Sequence, residues 1–361
     1  MRYIDEFRNK DHVAKLVDLI RRSAVGDYCF MEVCGGHTAA IHRFGISSML
    51  PENIKLISGP GCPVCVTGME FIDKAIAYAR IEKVIIATFG DLMRVPGSAS
   101  SLEKEKAAGA DIKIVFSGLE ALEIAKVNPG KRVIFLGIGF ETTAPGTAVT
   151  LIRADSGNTE NLFVLSAHKV MPPAMEAILK SGSVLDGFIC PGHVSTITGS
   201  SIFEFIPEKY DIGCVISGFE PFDILMSILM LIIQANSMIH RVEIQYSRAV
   251  KADGNSIAKK NLYSVFEPCD ANWRGFGVIP MSGLRLKKEY KKFNAELRIP
   301  VRISHQEDND QCICGKILRG LLSPPDCALF SDICSPENPI GACMVSNEGA
   351  CNSWYKYRLK R

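Results

Sequence analysis

YCFMEVCGGHT, residues 28–38, reads as a short apolar strand (29–33) that runs into a cysteine, two glycines and a histidine before helical spacing resumes. The unit recurs. Apolar runs rich in β-branched residues at 54–57, 83–89, 112–116, 132–136, 162–166, 187–190 and 212–216 each lead into a Gly/Pro/Ser/Thr loop and then a helical stretch. Strands alternating with helices imply parallel sheets covered by helices on both faces, so the expected class is α/β. The turn VNPGK at 127–131 separates two similar sets of runs and predicts two parallel-sheet domains, 26–128 and 129–248, facing one another across a cleft. Ahead of them, Val13, Leu16, Val17 and Ile20 recur at helical spacing, which predicts a helix within 1–25, expected to pack on the last domain. Beyond 248 the alternation fades. Residues 249–361 are expected to form a smaller, irregular domain in which a metal cluster supplies cohesion that a small core cannot.

A chain of 361 residues is long enough for two or three domains. Forty-one basic against 39 acidic residues leave a formal charge of +2, which provides no electrostatic footprint for nucleic acid. The basic stretch RLKKEYKK at 285–292 is short and reads as a solvated face. The longest apolar run, 222–233, contains Asp223 and falls well short of the roughly 20 residues that span a bilayer, so it reads as a core helix and no membrane association is expected. Charges scattered through the first 22 positions exclude a secretory signal, and a cytoplasmic protein is expected. In a reducing compartment, 13 cysteines point to metal ligation or redox chemistry rather than structural disulfides.

The unusual residues sit where strands end, the edge at which open α/β sheets bind ligands. CGGHT (34–38) and GPGCPVC (59–65) follow the first two runs. In the other half GFETTAP (139–145), His168, PGHVST (191–196) and GFEP (218–221) do the same, so Glu141, His168, His193 and Glu220 are candidates for the opposite wall. Cys34 at a helix start should have its thiolate favoured and would suit a soft metal such as low-spin iron. Cys62 and Cys65 can form a reversible disulfide or jointly ligate a metal. His37 is placed to donate to the Cys34 sulfur or to shuttle a proton. Cys29, Cys190, Cys214 and Cys269 lie within or at the ends of apolar runs and read as inert. In the tail, Cys312, Cys327, Cys334 and Cys351 can ligate a 4Fe-4S cluster, with Cys314 and Cys343 left over for a disulfide beside it. A four-cysteine zinc site usually shows two close knuckles, and the tail has only the Cys312–Cys314 pair.

Together with PIGACMVSNEGAC at 339–351, these motifs make the chain resemble the HypD family of nickel-iron hydrogenase maturation factors along nearly its whole length. The resemblance implies two α/β domains around a cleft plus an iron-sulfur domain. It also implies a redox-active assembly scaffold, rather than a conventional turnover enzyme, which works with a small HypC-type chaperone. On it iron acquires cyanide and carbon monoxide ligands, the cyanide coming from a HypE-type donor served by a HypF-type carbamoyltransferase. By motif, Cys34 would be the iron thiol, Cys62 and Cys65 the cleft pair, Cys312, Cys327, Cys334 and Cys351 the cluster ligands, and Cys314 with Cys343 an extra thiol pair. Ala39 stands where many relatives carry histidine. No glycine-rich phosphate-binding loop of the Walker type is present, so no direct ATP site is expected. A cytosolic thiol-disulfide oxidoreductase acting through Cys62 and Cys65, and a zinc-stabilised binding module, are the competing classes.

Overall fold

The computed structural model describes residues 5–303 and 311–357; residues 1–4, 304–310 and 358–361, at the ends of the expected N-terminal segment and within the expected tail domain, lie outside that description. Strands β1 (Tyr28–Glu32), β2 (Ile54–Ser58), β3 (Val84–Thr88), β4 (Ile112–Ile114), β5 (Arg132–Gly139), β6 (Leu162–His168), β7 (Gly187–Pro191) and β8 (Gly213–Ser217) fall on the eight apolar runs. Three more follow: β9 (Val242–Ile244), β10 (Phe266–Trp273) and β11 (Gly277–Leu286). The order β2-β1-β7-β8-β9 makes one sheet and β4-β3-β5-β6 a second, all pairs within them parallel. β10 and β11 form an antiparallel hairpin. The α/β class holds, and β3, β7 and β8 are largely apolar because both of their faces are covered: every one of their residues is buried.

The division at 128/129 does not follow the sheets. β4 and β5, on either side of the 127–131 turn, both pair with β3. The chain instead leaves the first sheet after β2, builds the whole four-stranded sheet from β3 to β6, and returns with β7 beside β1. Turn chemistry is local, whereas strand pairing is decided by distant partners, so the turn carried no information on which strands share a sheet.

The N-terminal helix, Lys10–Ser23, starts at Asn9, whose side chain accepts from the N–H groups of Asp11 and His12. Its buried Leu16, Val17 and Ile20 pack with Ile224, Leu225 and Ile228 of the helix Pro221–Ser237. It therefore covers the five-stranded sheet's helical layer and not the cysteine-rich tail, because the larger apolar stripe lies there. The tail is not a separate body either. Ile317, Leu318, Met344 and Val345 belong to the same apolar cluster as Met31 of β1 and Ile134 of β5. The last helix, Ala350–Tyr357, packs on the helix Gly35–Phe44.

Candidate functional site

Parallel pairing in register places the strand ends together. Glu32 pairs with Ser58 and Ile189, and Pro191 with Ser217, so the loops at 34–38, 59–65, 191–196 and 218–221 leave one edge of the five-stranded sheet. The loop after Gly139 and the residue His168 belong to the other sheet, where the two are register partners. His193 and Glu220, expected on the opposite wall, thus share a sheet with Cys34. Only Glu141 and His168 stand on the other.

Cys34 is the residue before the first turn of the helix Gly35–Phe44, and the loop carrying Cys62 is held against it by the Gly35 N–H, which donates to the Gly61 carbonyl at 3.0 Å. The approach is close enough to require glycine, since a Cβ at Gly61 would lie 2.2 Å from the Cys34 nitrogen. On the far side a Cβ at Gly35 would lie 2.4 Å from Cβ of Glu348, in the tail. Cys34 is buried, and burial, reinforced by Glu348 and Glu32, pushes its thiol up to about 12 despite the opposing pull of the Gly36 and His37 N–H groups. The helix start does favour the thiolate, but desolvation outweighs it. Beneath Cys34, the buried Glu32 carboxyl accepts from the Cys34 N–H at 3.1 Å and from the Thr38 hydroxyl at 2.5 Å. Desolvation lifts it to about 8. Glu32 was readable as the one acid ending an apolar strand; Glu348 carried no such signal.

His37 does not serve the sulfur as a donor. Its Nε2–H donates to the carbonyls of Gly218 at 3.0 Å and Ser217 at 3.2 Å, which leaves Nδ1 as a buried lone pair with no partner among the described residues. Burial lowers its pKa to about 4, so the ring is neutral at pH 7. Phe219 stacks on His37 on one face at 4.6 Å and on His193 at 3.9 Å, fixing both rings. Glu220 caps the helix Pro221–Ser237 and is bound by Arg8, whose Nη2 donates to it at 2.9 Å. On the other sheet's side, Glu141 accepts from the Met171 N–H at 3.0 Å with its other oxygen unpartnered among the described residues, and burial raises it to about 7. His168 contacts the Thr147 hydroxyl at 2.9 Å.

Cys62 and Cys65 are joined as a disulfide, their Cα atoms 5.2 Å apart, so of the two alternatives for a CxxC the structure contains the bonded one, in which neither sulfur is a thiolate ligand. Their short helix, Pro63–Val66, packs on β5 of the other sheet and against the tail helix Ala342–Val345. There Cys65 Sγ lies 4.0 Å from the Ala342 carbonyl oxygen. The next residue, Cys343, touches the Cys314 thiol, which also meets Cys312 and Cys351. Cys312, Cys314, Cys327, Cys334 and Cys351 line one small cavity completed by apolar side chains such as Ile317, Leu329 and Met344. Among the described residues no three His, Cys, Asp or Glu side chains stand in the geometry of a ready metal site. The donor set nevertheless suits an iron-sulfur cluster in kind: Cys312, Cys327 and Cys334 from irregular segments and Cys351 from the helix Ala350–Tyr357 converge on one cavity with an apolar surround. Of the four cysteines read as inert, Cys190 and Cys214 lie fully buried in the sheet, whereas Cys29 and Cys269 are only half-buried.

The family model described as "HypD: Hydrogenase formation hypA family" matches residues 11–358. The hydrogenase maturation factor HypD2 of Bradyrhizobium diazoefficiens is 49% identical over 368 residues, covering 99% of this chain and 97% of its own length. The hydrogenase maturation factors HypD of Cupriavidus necator and of Escherichia coli are 45% and 41% identical, each across 99% of this chain and 97% and 98% of their own. No described helix is long and apolar enough to cross a membrane. The chain belongs to the HypD family of hydrogenase maturation factors.

Proposed function

We propose that this chain is the cytoplasmic, redox-active scaffold on which, with a small HypC-type chaperone, iron receives two cyanides and one carbon monoxide for a nickel-iron hydrogenase. The observation that carries the reading is continuity of sulfur chemistry. The Cys34 loop touches the Cys62–Cys65 loop, Cys65 touches the helix bearing Cys343, and Cys343 touches the cysteine-lined cavity through Cys314.

In this reading Cys34 receives the iron as cargo. A thiol pushed up to about 12 stays protonated until a cation binds; coordination then displaces the proton, so burial makes the site responsive to a metal rather than to alkylating or oxidising molecules. Glu348 at the same point adds negative potential for a cation. His37, neutral and fixed by Phe219, offers an acceptor nitrogen beside the loop. Cyanide arrives as a thiocyanate on a HypE-type partner, itself charged by a HypF-type carbamoyltransferase. Releasing it breaks the S–C bond: two electrons come from the reduced Cys62/Cys65 pair, the donor sulfur leaves as a thiol, cyanide passes to iron, one proton is freed, and the pair becomes the disulfide. A 4Fe-4S cluster held by Cys312, Cys327, Cys334 and Cys351 would supply the single electrons that restore the thiols. Cys314, itself on the wall of that cavity, and Cys343, which touches it, would serve as the extra pair on the way to Cys65. A thiol-disulfide oxidoreductase serving external proteins fits less well, because Cys62 is 3% and Cys65 0% exposed.

Infrared spectroscopy of the anaerobically purified complex tests the central assignment. Cys34→Ala should abolish the cyanide and carbonyl bands, and their persistence would overturn it.

A further inference from the structure

A cavity of about 690 Å³ lies against the tail where Cys312 and Cys314 form part of its wall. Its lining includes Lys104, Arg274, Lys316 and Arg319 and, among the described residues, no aspartate or glutamate. Lys104 and Lys316 are exposed, and with Arg319 they form no ion pair among the described residues. The three cations come from two separate segments, Lys104 from the helix Leu102–Ala107 and Lys316 and Arg319 from and just beyond the helix Cys314–Leu318. Pro96, Pro339, Ile340 and Met69 supply apolar surface between them. An apolar centre ringed by like charges is the pattern of a small, transient, electrostatically steered interface.

Each cycle of the disulfide consumes two electrons and two protons to give two thiols, and those electrons must enter from outside the chain. We propose that this basic rim docks an acidic one-electron carrier protein, which is oxidised by one electron in each of two encounters while Cys62 and Cys65 are reduced. The inference rests on the reading of the tail as a 4Fe-4S site and adds the place and the kind of partner that feeds it. A small two-electron reductant would need no rim spanning two separate helices. Cations on two elements that form no ion pair among the described residues, opening onto the wall that holds Cys312 and Cys314, suit a protein of opposite charge.

The test uses the full-length chain with its iron and sulfide quantified first, a plant-type 2Fe-2S ferredoxin as acidic carrier, and reduced methyl viologen as a small cationic control. Lys104→Glu combined with Lys316→Glu changes two exposed side chains. It should weaken calorimetric binding of the oxidised ferredoxin at least tenfold at low ionic strength and slow ferredoxin-driven appearance of the Cys62 and Cys65 thiols by a similar factor. Reduction by viologen should be no slower. Added salt should slow the unmodified protein towards the variant. Equal affinity and equal ferredoxin rates in the two proteins would overturn the docking site while leaving the cluster reading intact. Absence of iron and acid-labile sulfide would overturn both.

Discussion

Gly61→Ala tests whether the two cysteine loops depend on each other. The added Cβ would meet the Cys34 nitrogen at 2.2 Å and its Cα at 2.4 Å. Both are backbone atoms, so no side chain can turn aside and the loops must part by roughly 1 Å. Parting stretches the 3.0 Å bond between Gly35 N–H and the Gly61 carbonyl. That bond contributes about 1 kcal/mol, and overpacking a tight site costs about 1–3 kcal/mol. The expected destabilisation is therefore about 2–4 kcal/mol, read as a shift of the denaturant midpoint. Gly130→Ala, where nothing lies within 4 Å of the new atom, is the matched control, expected within about 0.5 kcal/mol of the parent. Because the tail cavity draws none of its lining from residue 61, the same variant should keep its iron and acid-labile sulfide while losing the infrared bands of the cyanide-bearing fragment. A Gly61→Ala protein as stable as the Gly130→Ala control, with full bands, would refute the contact between the loops.

Three further outcomes follow from the packing. Glu141, raised to about 7 in the folded state against an ordinary value of 4.5, is ionised in the unfolded chain before the folded one. Its contribution is intact below pH 4.5 and lost as pH rises to 7, by at most about 3 kcal/mol. Glu141→Gln should remove that slope, and identical pH–stability curves would refute it. Arg248→Met strands the fully buried Asp223, which Arg248 Nη1 meets at 2.8 Å, and should cost about 3 kcal/mol in thermal or denaturant unfolding; a loss under about 1 kcal/mol would show the pair to be dispensable. Cys327→Ala should lower iron and sulfide content, whereas Cys65→Ser should leave both unchanged and abolish only disulfide-linked thiol titration. Equal iron loss in the two would sink the separation of roles.

Much of this architecture was legible because strands buried on both faces must be apolar along their length, as 84–87 and 213–216 are, and because glycine and proline mark where they end. The loops that carry Cys34, Cys62 and Cys65 were found on that basis, and so was the core helix around residues 222–233. What the sequence hid was non-local. The insertion of β3 to β6 between β2 and β7 leaves no trace in any local pattern. It also moved His193 and Glu220 onto the sheet that carries Cys34. Cys34 itself shows the limit most clearly: its helix start was readable and would favour the thiolate, but the burial that reverses the outcome is completed by Glu348, more than three hundred positions away. His37 failed for the same reason, since its donor is taken by carbonyls at 217 and 218.

The interrupted winding of the first sheet has a consequence for biogenesis. Cys34 is synthesised well before β7, which flanks β1, before β8 beyond it, and before the Glu348 segment that closes over it. A nascent chain therefore carries an open Cys34 loop until those segments emerge, and the thiol is closed off only when the segment around Glu348 docks.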